Sequence, residues 1–395
     1  MAGIAALAFA YFLSQFYRSF LAVLTPVLET ELGATKADFA HASGAWFIAF
    51  ALMQFGVGVS LDRFGPRRTA AVMLAMGGGG GALVFGLATS PTMLVIAMAL
   101  IGIGCAPVLM ASLFIFAKTF RMARFAVATS WFVALGSLGN VFGATPLAAA
   151  SESFGWRPVI LSVAALTLLV ALALLVFVRD PARDPEEPAD GGGFGGFGEL
   201  LRLRVLWPII PLTAINYAPA VGIRGLWAGP YLTDVFGADS LVIGNVTLFM
   251  AFAMVAGSFL YGPLDTVFRT RKWVAVGGNT MSVAAICTLA LMPQASMTVT
   301  TILLVLIGVS GASYGLLMAH ARAFVPAHLI GRGVTLMNFF SIGGVGVMQF
   351  VTGAVVTGAA SPGEPVAAYQ ALFGFYALTL AASVVVYLKA RDARP

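Results

Sequence analysis

Gly58-Val-Ser-Leu-Asp62-Arg63-Phe-Gly65-Pro-Arg67-Arg68 joins two long apolar stretches of this 395-residue chain, residues 38 to 60 and 68 to 89. An α-helix needs about 20 residues to cross ~30 Å of hydrocarbon, so both stretches are long enough to span a membrane. The charged segment between them then lies at a membrane face. There its arginines can bind lipid headgroups and helix carbonyl ends, while Asp62 can accept hydrogen bonds from a neighbouring helix start, such as that near Arg332.

Apolar stretches of this length recur along the whole chain. Hydrophobic residues make up 60% of the sequence and charged residues only 10%, and the mean hydropathy is +0.95. A soluble globule of this size needs more polar surface than that. The sequence therefore predicts an all-α membrane protein with twelve transmembrane helices, at residues 3 to 28, 38 to 60, 68 to 89, 92 to 117, 124 to 148, 157 to 178, 205 to 232, 241 to 263, 272 to 292, 297 to 324, 331 to 357 and 366 to 389.

The basic residues indicate how these spans are oriented. Placing the amino terminus in the cytoplasm puts 18 of the 22 lysines and arginines on that side, which is the bias expected for short loops. Both termini are then cytoplasmic, and we expect the membrane to be a bacterial inner membrane. The net charge of +6 reflects this topology and contact with anionic lipids, so no nucleic-acid partner is expected.

A polar segment separates the chain into two parts. Residues 179 to 204 begin with a stretch rich in Pro, Gly and acidic residues, which cannot bury a core. We therefore predict a cytoplasmic linker at 179 to 204, between one bundle at residues 1 to 178 and another at 205 to 395.

The two parts are similar in sequence. The end of the first span, Pro26 to Gly33, recurs as Pro230 to Gly237 at an offset of 204, and Asp62 recurs as Asp265 at an offset of 203. Two parallel halves of this kind are how many secondary transporters build a site at the bilayer midplane.

The segment 58 to 68 resembles the signature loop of the major facilitator superfamily, and Phe154-Gly-Trp156-Arg157 after the fifth span is similar to another common feature of that family. The resemblance extends over the whole chain. It implies a secondary transporter with two six-helix bundles around a central cavity. It also implies a cytoplasmic latch that holds one alternating-access state, to which we assign Gly58, Asp62, Arg63, Gly65, Arg67, Arg68, Asp265 and Arg332.

Two arginines interrupt long apolar stretches. Arg18 and Arg224 each follow a tyrosine by seven residues, Tyr11 and Tyr217 respectively. A guanidinium in hydrocarbon costs at least ~2.5 kcal/mol, so it is rarely kept without a ligand, a partner or a pathway to serve. No acidic residue lies deep inside a predicted span, so an anionic ligand is the natural partner for both arginines. Two guanidinium groups can clamp a carboxylate or a phosphate.

The two arginines are similar to those of organic-anion and organophosphate transporters of the superfamily, whose first and seventh helices line the cavity. This resemblance implies that the substrate is a small organic anion. We expect these residues to contact it together with Tyr11, Gln15, Asn216 and Tyr217 on the same two helices, and with Trp46, Gln54, Tyr314 and Asn338 on others.

Both arginines also have a structural interpretation. Each could satisfy backbone groups that an irregular helix leaves free, and Arg224 follows Pro219 and Gly222 closely. The offset between the arginines is 206, whereas the helix ends repeat at 204. The two positions are therefore equivalent only if the seventh helix absorbs two residues.

Other functions remain open on the sequence alone. An exporter of hydrophobic or cationic compounds would have an aromatic cavity, although Met98 stands where proton-coupled drug antiporters of the superfamily carry an arginine. Met250 and Met254 share a helical face, as in a copper carrier, and a non-transporting receptor could keep the same fold. We expect no enzyme activity, no cofactor and no metal site, because no nucleophile-base arrangement or ligand spacing accompanies the spans.

The remaining expectations concern packing and partners. The run Gly77 to Gly81 and the pair Gly139 and Gly143 predict close helix contacts. We expect a monomer in the lipid bilayer that binds a small molecule, coupled to a proton or to a counter-transported anion.

Overall fold

The computed structural model of the chain describes residues 2–120, 122–181, 195–326, 329–361 and 365–393, with the side chains of Asp62 and residues 122–127, 130, 195–196 and 330 outside that description. The fold is all-helical, as predicted. Its α-helices are α1 (Ala2–Phe16), α2 (Leu21–Leu32), α3 (Lys36–Phe64), α4 (Pro66–Met73), α5 (Gly80–Gly86), α6 (Pro91–Thr119), α7 (Met122–Phe142), α8 (Thr145–Phe154), α9 (Trp156–Phe177), α10 (Gly195–Arg202), α11 (Ile209–Gly222), α12 (Ala228–Phe236), α13 (Ser240–Phe268), α14 (Arg271–Leu291), α15 (Met297–Gly311), α16 (Tyr314–Arg322), α17 (Ile330–Ala359) and α18 (Pro365–Tyr387).

The number of membrane spans is close to the prediction. Among the described residues, nine helical stretches are long and apolar enough to cross a membrane, and up to eleven if each of two bent helix pairs is one span. The bent pairs are α1 with α2, at 52°, and the end of α7 with α8, at 42°. The exact number of twelve is not confirmed by this count. Much of the predicted linker, residues 182–194, lies outside the described residues.

The chain forms two compact units. The first comprises Met1–Ala34 and Ala45–Gly193, and the second comprises Thr35–Gly44 and Phe194–Pro395. The start of α3 therefore packs within the second unit. There Lys36 forms an ion pair with Asp234, whose carboxylate also accepts a hydrogen bond from the Tyr369 hydroxyl at 2.5 Å.

The first predicted span is a bent pair of helices and not one continuous helix. Between α1 and α2 the N–H groups of Arg18 and Ser19 bond three residues back, to the oxygens of Gln15 and Phe16. Bonds to the third preceding residue tighten the turn relative to an α-helix, and the chain bends here. Arg18 therefore lies at a break in the helix and not inside a regular one.

The seventh predicted span is irregular in a different way. It runs from α11 through a π-helical turn, Ile223–Trp227, into α12, and this turn carries Arg224. A π-helical turn has wider i→i+5 bonding and holds an extra residue. Pro230 follows Arg224 by six positions, whereas Pro26 follows Arg18 by eight, so this extra residue does not account for the mismatch between the two arginine positions. Gly33 and Gly237 end α2 and α12 with φ values of 62° and 65°, so the repeated glycines cap equivalent helix ends in the left-handed conformation.

The predicted glycine contacts are confirmed. A π-helical turn at Leu74–Gly79 separates α4 from α5, and a Cβ at Gly77 would lie 2.5 Å from the main-chain nitrogen of Gly104 on α6. A Cβ at Gly139 would lie 2.0 Å from the carbonyl oxygen of Phe12, so α7 packs directly on α1. Only residues without side chains allow backbones to approach this closely.

The carboxyl-terminal residues fold back onto the second unit. Nε2 of His320 donates to the main-chain oxygen of Arg391 at 2.8 Å. Asp392 accepts hydrogen bonds from the Thr270 hydroxyl, at 2.5 Å, and from the N–H of Lys272, at 3.0 Å. Burial alone would raise the pKa of Asp392, but these hydrogen bonds outweigh it, so the pKa is lowered.

Candidate functional site

Arg18 lies against two aromatic rings in the first unit. Its guanidinium carbon is 5.3 Å from the ring centre of Trp46 and 5.5 Å from that of Phe50, and the two rings stack 5.1 Å apart. A cation over aromatic faces gains about 0.5–2 kcal/mol, depending on desolvation. The aromatic pair thus explains how Arg18 remains half-buried in an apolar chain.

Two hydrogen-bond donors at this place have no acceptor among the described residues. They are Nε of Arg18 and Nε1 of Trp46, and both nitrogens are buried. No described carboxylate lies within 4 Å of the Arg18 guanidinium. A buried donor without an acceptor costs about 1–3 kcal/mol. The site therefore has an excess of donors and of positive charge.

The other predicted residues of the first unit, Tyr11, Gln15 and Gln54, contact protein groups other than Arg18. Tyr11 and Gln15 are buried on α1, one turn apart, and the Gln15 amide donates to the Tyr11 hydroxyl at 2.8 Å. The Tyr11 ring stacks on Phe132 of α7 at 5.0 Å. Gln54 is also buried, and its amide donates to the main-chain oxygen of Ala106 at 3.4 Å. These polar groups already have protein partners, in contrast to Arg18 Nε and Trp46 Nε1.

Arg224 belongs to the second unit and is only 2% exposed. It lies in the π-helical turn that begins four residues after Pro219, which is itself inside α11. A buried guanidinium at an irregular turn fits both interpretations of the sequence, a ligand contact and a structural role.

Asn216 connects α11 to α14 and to the turn before α16 in the second unit. Its amide donates to Asn279 at 2.7 Å and to the Ser313 hydroxyl at 2.8 Å, and all three side chains are buried. Asn279 and Ser313 are not among the site residues predicted from sequence. An amide in the middle of the apolar helix α14 was the available signal for Asn279. The contacts of Asn216 indicate that it holds helices in place.

Three further predicted residues of the second unit lie together. The rings of Tyr217 and Tyr314 are 5.6 Å apart, and the Tyr314 hydroxyl donates to the side-chain oxygen of Asn338 at 2.7 Å. All three side chains are half-buried. They come from α11, α16 and α17, so this aromatic and amide cluster joins predicted residues from three spans.

The charged loop of the first unit is anchored by Asp180, which is not among the residues predicted from sequence. Asp180 follows α9, and its carboxylate accepts from the N–H of Arg67 at 2.8 Å and lies 3.5 Å from Nε of that residue. Gly65 has a φ of 82°, and a Cβ there would come within 3.0 Å of the Asp180 carboxylate. A carboxylate at a helix start is favourable, and here it sits at the first turn of α4.

The remaining latch residues have fewer contacts than Arg67 and Asp180. Gly58, Arg63 and Arg68 are exposed, with the Arg63 guanidinium carbon 5.4 Å from the Phe64 ring centre. The predicted contact between Asp62 and the helix start near Arg332 involves a side chain outside the described residues. Arg332 itself is half-buried in the first turn of α17. In the second copy of the loop, Asp265 pairs with Arg271 at 3.3 Å.

Comparisons with known proteins agree with this architecture. The family model of the Major Facilitator Superfamily matches residues 7–225, which is more than half of the chain. A comparison with curated proteins found no match.

Solved structures of transporters are among those that resemble the fold. A crystal structure of a bacterial homolog of the human lysosomal transporter Spinster, in an inward-facing and occupied conformation, has a TM-score of 0.72 and 20% identity, and it covers 98% of this chain and 94% of its own. The nucleoside transporter NupG, as its D323A mutant, has a TM-score of 0.78 and 14% identity over 98% and 99% of the two chains. At these identities the likeness concerns the fold alone.

The helical fold and the matched family define a multi-pass integral membrane transporter. The chain belongs to the major facilitator superfamily. It is therefore a secondary transporter and not an enzyme, which confirms the class predicted from the loop at residues 58 to 68.

Proposed function

We propose that this transporter moves a small organic anion, a carboxylate or a phosphate ester, by alternating access. The observation that carries the proposal is the arrangement at Arg18. A positive charge and two buried donors, Arg18 Nε and Trp46 Nε1, meet at a helix break without a described carboxylate or other acceptor. An acceptor with negative charge satisfies both donors and the charge at once.

The aromatic rings beside Arg18 support this assignment in a second way. Trp46 and Phe50 cover one side of the guanidinium and hold its orientation, so its remaining N–H groups are directed before a ligand arrives. Preorganised groups lose less entropy on binding, and affinity increases for that reason. Bidentate binding of a carboxylate or a phosphate uses the planar guanidinium, which a lysine could not replace.

Arg224 is the second residue that we assign to the substrate. Its burial in the π-helical turn makes it the only arginine described in the second unit that is almost fully enclosed. The Tyr217, Tyr314 and Asn338 cluster is proposed to contact the uncharged part of the substrate, because its hydroxyl and amide groups are neutral and its rings offer apolar surface.

An exporter of hydrophobic or cationic compounds is the second candidate, and one observation favours it. The rings of Trp46 and Phe50 already stabilise the charge of Arg18, and stacked aromatic rings also suit hydrophobic and cationic cargo. In this case Arg18 would be structural, and its replacement would change stability and not ligand class.

The other parts of the transport cycle remain proposals. We assign the segment 58 to 68 with Asp265 and Arg332 to a cytoplasmic latch, anchored in the first unit by Asp180. Coupling to a proton or to a counter-transported anion, a monomeric state, cytoplasmic termini and a bacterial inner membrane complete the proposal.

A thermal-shift screen of the purified protein tests the substrate class. A ligand that binds only the folded state raises its stability by mass action. Carboxylates or phosphate esters should raise the midpoint temperature of unfolding of the wild-type protein but not that of Arg18→Ala. Arg204→Ala is the matched control, since it removes the same charge from an exposed position. Stabilisation by cations alone, or equal stabilisation of Arg18→Ala by anions, would contradict the proposal.

A further inference from the structure

A second group of buried polar side chains lies in the second unit, beside the π-helical turn. It consists of Gln349 and Thr352 on α17, Tyr376 on α18 and Trp227 at the end of the turn, and all four are fully buried. Gly222, the last residue of α11, lies against them. The group has no part in the site assigned to the substrate.

Gln349 is the unusual member of this group. It is 0% exposed, and neither its Nε2 nor its Oε1 has a hydrogen-bond partner among the described residues. Each such group in an apolar surrounding costs about 1–3 kcal/mol. A side-chain amide is rarely kept under these conditions unless something bonds to it.

The Tyr376 hydroxyl also lacks a hydrogen-bond partner among the described residues. It lies near Thr352 and Trp227 but forms no hydrogen bond of normal geometry among the described residues. The hydrogen bonds that Thr352 forms go to other groups, since its oxygen accepts from Trp227 Nε1 at 3.1 Å and its proton goes to the main-chain oxygen of Met348 at 2.7 Å. Both Tyr376 and Gln349 therefore present unused polar atoms.

Gly222 brings these unused atoms together. A Cβ at Gly222 would lie 2.5 Å from the Tyr376 hydroxyl oxygen and 3.2 Å from Gln349 Nε2. The hydroxyl and the amide thus converge on one point of the backbone, directly before the π-helical turn. Alanine at this position would push into both polar groups.

We propose that Gln349 and Tyr376 bind one ordered water molecule beside Gly222. The unused atoms comprise donors and acceptors in similar number and carry no charge, which is the set that a buried water satisfies with its usual two to four hydrogen bonds. A cation would require carboxylates, which this group lacks. An anion would be repelled by the lone pairs of the amide oxygen, although the donors would attract it.

The location gives this water a consequence for the helix. Helices bend where a water or a side chain enters the regular bond pattern, and π-helical turns are such places. A water next to Gly222 lies directly before such a turn, Ile223–Trp227. The turn that carries Arg224 then has a hydrated neighbour on one side, which lowers the cost of changing its hydrogen bonds.

Radiolytic footprinting of the full-length protein tests the proposal, since hydroxyl radicals form from bound water inside a protein and label the side chains that touch it. Tyr231 is the matched control, because it is equally buried and its hydroxyl donates to Pro293 at 2.6 Å. Tyr376 should be labelled several-fold faster than Tyr231 in the wild-type protein. In Gln349→Leu, the rate at Tyr376 should fall to that of Tyr231.

The outcomes separate clearly. Equal protection of Tyr376 and Tyr231 in the wild-type protein would overturn the proposal without any variant. Fast labelling of Tyr376 that persists in Gln349→Leu would also overturn it, because the label would then come from opening of the helices. If that variant fails to fold, Gly222→Ala replaces it, with the same loss of labelling expected.

Discussion

Replacing Gly104 with alanine tests the helix contact in the first unit. A Cβ at Gly104 would lie 1.9 Å from the main-chain nitrogen of Gly78 and 2.6 Å from the carbonyl carbon of Gly77. Real Cβ atoms keep at least 3.0 Å, so α6 and the glycine-rich turn would have to separate by about 1.1 Å. Because the obstructing atoms belong to the backbone, no change of side-chain rotamer relieves the contact.

Two opposing effects decide the size of the change. Alanine favours a helix over glycine by about 1 kcal/mol. Overpacking a tight contact typically costs about 1–3 kcal/mol and sometimes more, and here the separation also weakens the neighbouring helix contacts. We therefore expect Gly104→Ala to be destabilising overall. In a unit of 150–250 residues each kcal/mol lost lowers the midpoint by roughly 2–4 °C.

Gly80→Ala is the matched control, and thermal unfolding in detergent is the assay. Gly80 belongs to the same glycine run, but a Cβ there meets only one atom, the Ala75 oxygen at an ordinary 3.7 Å. This variant should keep the wild-type midpoint or exceed it, because the helix gain is unopposed. Equal midpoints for the two variants, or a stabilised Gly104→Ala, would refute the packing argument.

Three further predictions follow from individual contacts. Lys36→Ala should lower the stability of the second unit by only ~0.2–1 kcal/mol, measured at low salt and lost at high salt, since the pair with Asp234 is partly exposed. Asn279→Leu should lower the free energy of unfolding more, by about 1–3 kcal/mol, because it removes one of the two acceptors of the buried Asn216 amide and leaves only Ser313; a smaller change than in Lys36→Ala would contradict this. The folded-state pKa of Asp392 is lowered, so ionised Asp392 stabilises the folded protein at pH values above the unfolded-state pKa of about 3.9. This stabilisation is lost as the pH falls through the lower folded-state pKa. Asp392→Asn should therefore remove the acid-dependent loss of stability in thermal scans, and an unchanged pH profile would contradict this.

The class and the helices could be predicted from sequence because both depend on averages over many residues. A mean hydropathy of +0.95 and the loop at residues 58 to 68 carry the membrane location and the family. The close contacts at Gly77 and Gly139 were also accessible, because small residues in apolar spans are enriched where two helix backbones approach each other.

The helix breaks could not be predicted in the same way. Nothing in the residues from Tyr17 to Phe20 has a strong breaking tendency, although the turn there is tightened. The π-helical turn at Ile223–Trp227 is similar, although the offset of 206 between the arginines indicated an irregularity. Periodicity assumes a regular helix, so it fails where the helix is interrupted.

The residues of the candidate site could be predicted from their types, but the contacts between them could not. Arg18 and Trp46 were both identified from sequence, but their stacking joins residues 28 positions apart and needs the structure. Asn216 was assigned to the cavity, whereas its amide bonds to Asn279 and Ser313. A polar residue in an apolar span signals that a partner exists, and the sequence does not say whether that partner is a ligand or another helix.

Uptake into proteoliposomes tests the central claim most directly. The anion found in the thermal-shift screen would be measured with the wild-type protein, Arg18→Ala, Arg18→Lys and Arg204→Ala. Loss of a charge-assisted hydrogen bond costs about 1.5–3 kcal/mol, so half-saturation should rise roughly 10- to 150-fold in Arg18→Ala, with partial recovery in Arg18→Lys and no change in Arg204→Ala. Saturable anion uptake with the same half-saturation in wild-type and Arg18→Ala proteins would contradict the account.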